Sequence, residues 1–308
     1  MKFREITERL KIYESQSLYI PHLTGFWYEL IQKLEIISIK NETVPKNPLN
    51  LDNRDIEVIC SMTSFPGRIH LVHWALKSLL LQSYKPDKIL LYLAEEQFPN
   101  RDLPQTLLNL QKYGVEICWC HDMYGHKKYF YPVLNQKPNQ VIITFDDDII
   151  YPVKCIERLM KTHEKYPNVL VCERAQAINN APSKIDNPGR WDTISDVGIN
   201  TPSYSLNPSP GGGCLIPYKA FYKDATNEDL FRKYAYKNDD LWYMFMCAAN
   251  RTRIIKTRKY HKIFTVSKGS QEIFMAQEAI LQNKNAIVMA DLKAAYPEAY
   301  QRILTDID

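Results

Sequence analysis

The apolar positions of this chain switch between two spacings. Ile56 to Met62 is a short run of β-forming residues and predicts a first strand. Ile69, Val72, Leu76, Leu79 and Leu80 then recur at helical spacing. Lys85-Pro86-Asp87 marks a turn, and Lys88 to Ala94 predicts a second strand. Leu103 to Tyr113 reads as a helix stopped by Gly114, followed by a third strand from Val115 to Trp119. His126 to Asn135 fits a helix and Val141 to Asp146 a fourth strand. Helix from Pro152 to Tyr166, strand from Asn168 to Glu173 and helix from Asp239 to Asn250 complete the pattern. Strands alternating with helices predict an α/β fold, a mostly parallel sheet with helices on both faces.

The rhythm differs at the ends and in one internal stretch. Ile6, Leu10 and Tyr13, then Phe26, Trp27, Leu30, Ile31 and Leu34, predict two helices ahead of a linker holding Pro45 and Pro48. The expected organisation is an N-terminal helical extension at 1–50, a main domain at 55–265 and a C-terminal helical segment at 266–308 packed on it. Residues 179–213 form a long polar segment rich in Asn, Pro, Ser and Gly. A loop of that length is usually functional or disordered, and Trp191 and Tyr204 within it argue for function. No internal repeat or low-complexity tract is present.

Composition changes this picture in few places. With 308 residues, 45% hydrophobic, the chain can bury a sizeable core. A net charge of +4 is far from the basic signature of a nucleic-acid binder, so no nucleic-acid partner is expected. The seven cysteines are scattered and odd in number, which predicts neither a disulfide framework nor a zinc site. A reducing compartment follows, and a cytoplasmic location is expected. The first residues are too charged for a signal peptide, and no apolar run is long enough to span a membrane. The basic stretch from Arg251 to Lys262 alternates with apolar residues. It fits a solvated strand face as well as peripheral contact with an anionic membrane.

The most telling chemistry follows the fourth strand, at Asp146-Asp147-Asp148. Carboxylates at the C-terminal end of a buried strand stand where an open α/β sheet places its ligand site. Strand alternation would send Asp146 and Asp148 to one side and Asp147 to the other. Two same-side carboxylates suit Mg2+ or Mn2+, which keeps waters and takes substrate phosphates as further ligands. The alternative is capping of the next helix, but three adjacent carboxylates repel one another unless a cation or donors compensate.

Other segments could serve the same site. Thr63-Ser64-Phe65-Pro66-Gly67-Arg68 follows the first strand and could hold a base and ribose, with Arg68 on a phosphate. An ordinary strand-to-helix turn capped by Ser64 is the alternative. Asp122 and the Lys127-Lys128 pair follow the third strand. The lysines could neutralise a diphosphate and Asp122 could accept a ribose or base hydrogen bond; a solvated helix start is the plainer reading. Gly211-Gly212-Gly213 would let backbone approach a ligand, and matches neither a P-loop nor a dinucleotide fingerprint. Asn238-Asp239-Asp240 opens a helix: one residue caps it, and Asp240 is left to act as a general base. His261 could add a metal ligand if the chain folds back to the triplet.

In order, Ser61 to Ile69, Lys85 to Ile89, Glu96 to Pro99, Lys127 to Tyr129, Thr144 to Pro152, Gly211 to Gly213 and Asp239 to Trp242 resemble the GT-A class of nucleotide-sugar glycosyltransferases. The likeness covers roughly 55–250 and is nearest to the bacterial polysaccharide type. It implies a GT-A-like, Rossmann-like sheet. It implies Asp146 and Asp148 in the Asp-X-Asp positions, holding Mn2+ or Mg2+ on the donor diphosphate. It places the nucleotide, UDP by family default, near Thr63, Ser64, Arg68, Asp122, Lys128, Asp147, Gly212 and Gly213. It implies Asp240 as catalytic base beside Asp239, where many relatives carry Glu, and inversion at the sugar. The acceptor would be a hydroxyl of a glycan or lipid-linked glycan, shaped by the 179–213 loop. Two rival readings stand beside it: an Mg-dependent Asp-X-Asp phosphatase, whose motif belongs on the first strand, and a non-catalytic sugar-nucleotide-binding protein.

Overall fold

A computed structural model describes residues 33, 34, 36–178, 186, 191, 192, 195–258, 264, 265 and 272–306. In chain order the strands are β1 (Glu57–Thr63), β2 (Lys88–Ala94), β3 (Val115–Cys120), β4 (Gln140–Phe145), β5 (Ile149–Ile150), β6 (Leu170–Cys172), β7 (Ala175–Ala177), β8 (Leu206–Pro208), β9 (Gly212–Ile216), β10 (Ile254–Lys256) and β11 (Phe264–Thr265). The helices are α1 (Val72–Leu80), α2 (Gln105–Leu108), α3 (Lys127–Leu134), α4 (Cys155–Lys165), α5 (Glu228–Ala235), α6 (Asp239–Ala249), α7 (Glu272–Ala295) and α8 (Pro297–Thr305).

A seven-stranded sheet runs β10-β6-β9-β4-β1-β2-β3. Every pairing in it is parallel except those of β9, which runs antiparallel to both β4 and β6. The expected α/β class, a mostly parallel, Rossmann-like sheet covered on both faces, is what the chain forms. Its central strands are apolar along their whole length because both faces are buried. Side-chain alternation divides them: Val58, Cys60, Val141 and Ile143 join the core under α1 and α4, while Ile59 and Ile142 join the core under α3 and α6. Helices α7 and α8 extend the second core through Met289, Leu292, Tyr300 and Ile303. A helical stretch at 36–41 lays Ile39 against Leu81 and Ile150.

Two expectations need correction. The triple glycine lies at and within a strand: Gly212 and Gly213 open β9 at the centre of the sheet. The register shifts between Thr144 and Phe145 opposite them, and Gly213 takes φ +99°, a bulge conformation that suits glycine. The second correction is that β4 stops at Phe145, so the acidic triplet is a turn and strand alternation does not govern it. Because β1 to β4 are mutually parallel and β9 is reversed, the end of β1, the end of β4 and the start of β9 share one edge of the sheet. That carboxyl edge is where open α/β sheets bind ligands.

Candidate active site

The turn after β4 is held from beneath by tyrosine and glycine. The Tyr151 hydroxyl lies 2.7 Å from the Asp146 amide nitrogen and 2.5 Å from the Gly211 carbonyl oxygen, to which it donates. Gly211 has no room for a side chain, since a Cβ there would stand 1.7 Å from Asp146 Oδ2. The carboxylate of Asp146 therefore rests directly on the Gly211 backbone. Tyr151 did not stand out beforehand as a site residue; Gly211 did, with Gly212 and Gly213, only as backbone open to a ligand.

The three carboxylates of the turn diverge differently from strand alternation. Asp147, 1% exposed, accepts a hydrogen bond from Ser64 Oγ at 2.5 Å and pairs with Arg68 at 3.1 Å. Asp148 takes the other arm of the same guanidinium at 2.7 Å. Asp146 turns instead to Lys128 Nζ at 2.8 Å. So Asp147 and Asp148 share a partner and Asp146 has another. Burial pushes the Asp147 carboxyl up to about 6, against the pull of Arg68 and Ser64. Burial also raises Asp148. Burial alone would lower Arg68, but the carboxylates hold it above its ordinary value.

Lys128 joins the turn to the start of α6. Its ammonium, 5% exposed, reaches Asp146 and Asp239, each at 2.8 Å. Burial opposes its charge, yet those two carboxylates keep it raised. The α6 start follows from local sequence: Asn238 caps the helix by accepting from the Leu241 amide at 3.0 Å. That leaves Asp239 facing Lys128 and Asp240 without a side-chain hydrogen bond among the described residues. Burial, then the charge of Asp239, raises the Asp240 carboxyl well above the ordinary range. Burial pushes Asp239 the same way, but Lys128 outweighs it and holds this carboxyl low.

Several residues expected to meet a nucleotide are engaged within the protein. The Thr63 hydroxyl donates to the Tyr92 carbonyl at 2.8 Å. The Ser64 hydroxyl and the Arg68 guanidinium serve the acidic turn, where Arg68 pairs with Asp147 and Asp148. Asp122 accepts from Lys127 at 2.6 Å, the Tyr124 amide at 3.0 Å and Gln97 at 3.1 Å. The expected solvated lysine pair is in fact buried and ion-paired. Gly212 and Gly213 are buried strand residues. In the long polar segment, Trp191 is 5% exposed, and the half-buried Tyr204 donates its hydroxyl to the Arg251 carbonyl at 3.0 Å. His261 lies outside the described residues. Phe65, 39% exposed with Arg68 5.1 Å from its ring centre, is an aromatic at this edge that sequence reasoning passed over.

The donor chemistry here fits a hard divalent cation. Asp146, Asp147, Asp148, Asp239 and Asp240 act on one another or on the same cations, Arg68, Lys128 and Arg174. With Asp240 protonated, four carboxylates still face three cations, and a bound cation would offset the remaining negative charge. Asp146 has the most open carboxylate of the triplet, its side chain 39% exposed. Among the described residues no three His, Cys, Asp or Glu side chains form a cation cage of their own. Mg2+ and similar ions commonly take one or two carboxylates and complete their shell with water and substrate phosphate.

No protein-family model matches the chain, and no curated protein matches it. Among solved structures it is similar to the mannosyltransferase PcManGT from Pyrobaculum calidifontis in complex with GDP-Man and Mn2+, at 11% identity and a TM-score of 0.46, covering 99% of this chain and 84% of that one. It is also similar to 4-diphosphocytidyl-2C-methyl-D-erythritol synthase from Anaerococcus prevotii DSM 20548, at 13% identity and a TM-score of 0.45, covering 74% of this chain and 97% of that one. Likeness this distant assigns no activity. No described helix is long and apolar enough to cross a membrane.

Proposed function

We propose that this chain is a metal-dependent glycosyltransferase that moves a sugar from a nucleotide-sugar donor to a glycan hydroxyl with inversion. The observation that carries the reading is Lys128, which ties the acidic turn after β4 to the acidic pair opening α6. Residues far apart in sequence thereby form one charged constellation at the carboxyl edge of the sheet. Asp146 and Asp148 are the groups suited to hold Mn2+ or Mg2+. The bound ion would supply charge neutralisation on the departing nucleoside diphosphate.

The chain's own groups then divide the work. Arg68 and Ser64 fix the turn from one side, and Tyr151 and Gly211 fix it from beneath. Lys128 holds Asp146 and Asp239 in register. Asp240, raised toward neutral pH and without an internal hydrogen-bond partner among the described residues, is placed to take the proton from the acceptor hydroxyl. Attack on the anomeric carbon opposite the leaving group inverts its configuration. The likeness in sequence motifs favours a UDP-sugar donor, a glycan or lipid-linked glycan acceptor and a role in bacterial surface polysaccharide. The phosphatase reading is less suited, because its motif belongs on the first strand and this triplet follows β4.

The test is calorimetric titration of UDP, GDP and CDP into the protein with Mn2+ and with EDTA, repeated on Asp148→Ala. One nucleotide should bind only with metal, and the variant should lose that binding. If no nucleotide binds in a metal-dependent way, the glycosyltransferase reading fails.

A further inference from the structure

An unassigned aromatic surface borders the acidic pair. Tyr124 is 44% exposed and holds φ +54°, a backbone state costly for a large side chain. Asp122 fixes that conformation by accepting from the Tyr124 amide at 3.0 Å. The ring of Tyr236 lies 5.6 Å from that of Tyr124, tilted by 47°. Lys237 sits over the Tyr124 ring at 5.2 Å and Arg232 over the Tyr236 ring at 5.0 Å. Arg232 is itself anchored by the Asp122 carbonyl at 2.6 Å and by Glu228 at 2.6 Å. The two rings are thus held in place by cations that lie over part of each.

Their position ties them to the site. Gly125, next to Tyr124, is so close to α6 that a Cβ on it would stand 3.5 Å from Asp239 Oδ2. Tyr236 precedes the helix cap Asn238 by two residues. An aromatic platform of exposed Tyr124 and half-buried Tyr236 therefore lies beside Asp239, next to Asp240 in the chain, while Trp191 of the long polar segment is buried and Tyr204 half-buried.

We propose that Tyr124 and Tyr236 form a stacking platform for the pyranose ring of the acceptor, presenting its hydroxyl to Asp240. The proposal rests on the glycosyltransferase reading and adds the place and the chemistry of acceptor recognition. The electron-rich face of tyrosine attracts the weakly positive C–H face of a pyranose, and its hydroxyl bonds sugar oxygens. An exposed and strained tyrosine beside a carboxylate pair suits such a ligand. An apolar side chain would gain nothing from the polar rim of Arg232, Lys237 and Asp239.

Saturation-transfer NMR tests this with methyl β-D-glucopyranoside, methyl β-D-galactopyranoside and methyl α-D-mannopyranoside as probes. Each is added at millimolar concentration with Mg2+ and the nucleotide that binds. At least one glycoside should receive saturation on its ring protons. Tyr124→Ala should cut that signal about threefold to tenfold, Tyr124→Phe should keep most of it, and nucleotide affinity should stay unchanged in both. Unchanged nucleotide affinity also shows that the variants are folded. Nucleotide binding with no glycoside signal in the parent, or a signal indifferent to Tyr124→Ala, overturns the platform and leaves the transferase reading standing. Weaker nucleotide binding in Tyr124→Ala also overturns it, by assigning the rings to the donor base. No metal-dependent nucleotide binding overturns the transferase reading, and the platform with it.

Discussion

Two charge clusters lie close together in this molecule, and they are built differently. The first surrounds Glu173, which is 1% exposed and follows β6. It accepts from Arg158 at 3.0, 3.2 and 2.6 Å, from the Thr257 hydroxyl at 2.5 Å and from Arg258 at 3.3 Å. One carboxylate there has two guanidiniums and a hydroxyl, and its oxygens are saturated. The second is the constellation at the carboxyl edge, where carboxylates outnumber cations and Asp240 keeps its proton at pH values where an ordinary Asp has lost it. A cluster that only holds structure together can satisfy its charges. One that leaves a carboxylate beside others of like charge without such donors destabilises the fold and is retained for what it binds or does.

That contrast predicts opposite responses to neutral substitutions. The largest loss of stability should come from Glu173→Gln, which leaves Arg158 and Arg258 facing each other without their carboxylate. Breaking a buried pair costs about 3 to 5 kcal/mol, and because both arginines keep some solvent contact we expect about 2 to 3 kcal/mol here. Thermal melts should fall by several degrees, while metal-dependent nucleotide affinity stays within about twofold. Loss of nucleotide binding without a fall in melting temperature would place Glu173 in the site and erase the distinction.

Gly211→Ala separates the clusters from the other side. The new methyl would overlap the Asp146 carboxylate, which must swing away from its seat. Overpacking of this kind costs about 1 to 2 kcal/mol. The greater effect should be on function, with nucleotide affinity in Mn2+ weakened at least about tenfold, since a lost ligand or charge contact to phosphate commonly exceeds 1.4 kcal/mol. Gly212→Ala is the internal control, because its nearest new contact is 3.3 Å away, on the Ser209 carbonyl. Calorimetry of both variants, showing equal nucleotide affinity, would remove Asp146 from the binding site.

The sequence exposed the parts of this arrangement that are local. Continuous apolar runs announced β1, β2 and β4, because strands covered on both faces need no polar side. Asn238-Asp239-Asp240 was legible because capping is a rule about adjacent residues. β9 was not, since three glycines read as a loop and only the bulge opposite Phe145 explains them in a central strand. The sides taken by Asp146, Asp147 and Asp148 were misread because the strand stops at Phe145, one residue before the predicted end at Asp146, and alternation does not carry past it. Lys128 as a bridge could not be read at all: its partners come from another turn and another helix, and only the packing of α3 on the sheet brings them together. Helix α5 passed unnoticed despite its amphipathic pattern, although it carries Arg232 and leads directly to Tyr236.

The smallest effect, and the sharpest test of the excess charge, is expected from Asp240→Asn. An unfolded Asp ionises near pH 3.9, whereas burial and the charge of Asp239 raise the folded Asp240 well above that. The unfolded chain therefore releases this proton first as pH rises. The resulting penalty on the fold is absent below the unfolded pKa, grows from about pH 4 upward and is complete above the folded pKa. Asparagine cannot ionise, so the variant escapes the penalty. It loses some favourable interaction with the helix N-terminus, about 0.3 to 1 kcal/mol, which offsets part of the gain. Melting curves should show the variant more stable at pH 8 by about 2 to 4 °C, with a clearly smaller difference at pH 5. Sugar transfer should be abolished at both. A variant less stable than the parent at pH 8 would show that Asp240 is ionised and well paired in the fold. The carboxylates of the edge cluster would then be satisfied as Glu173 is, and Asp240 would lose its claim to the proton of the acceptor.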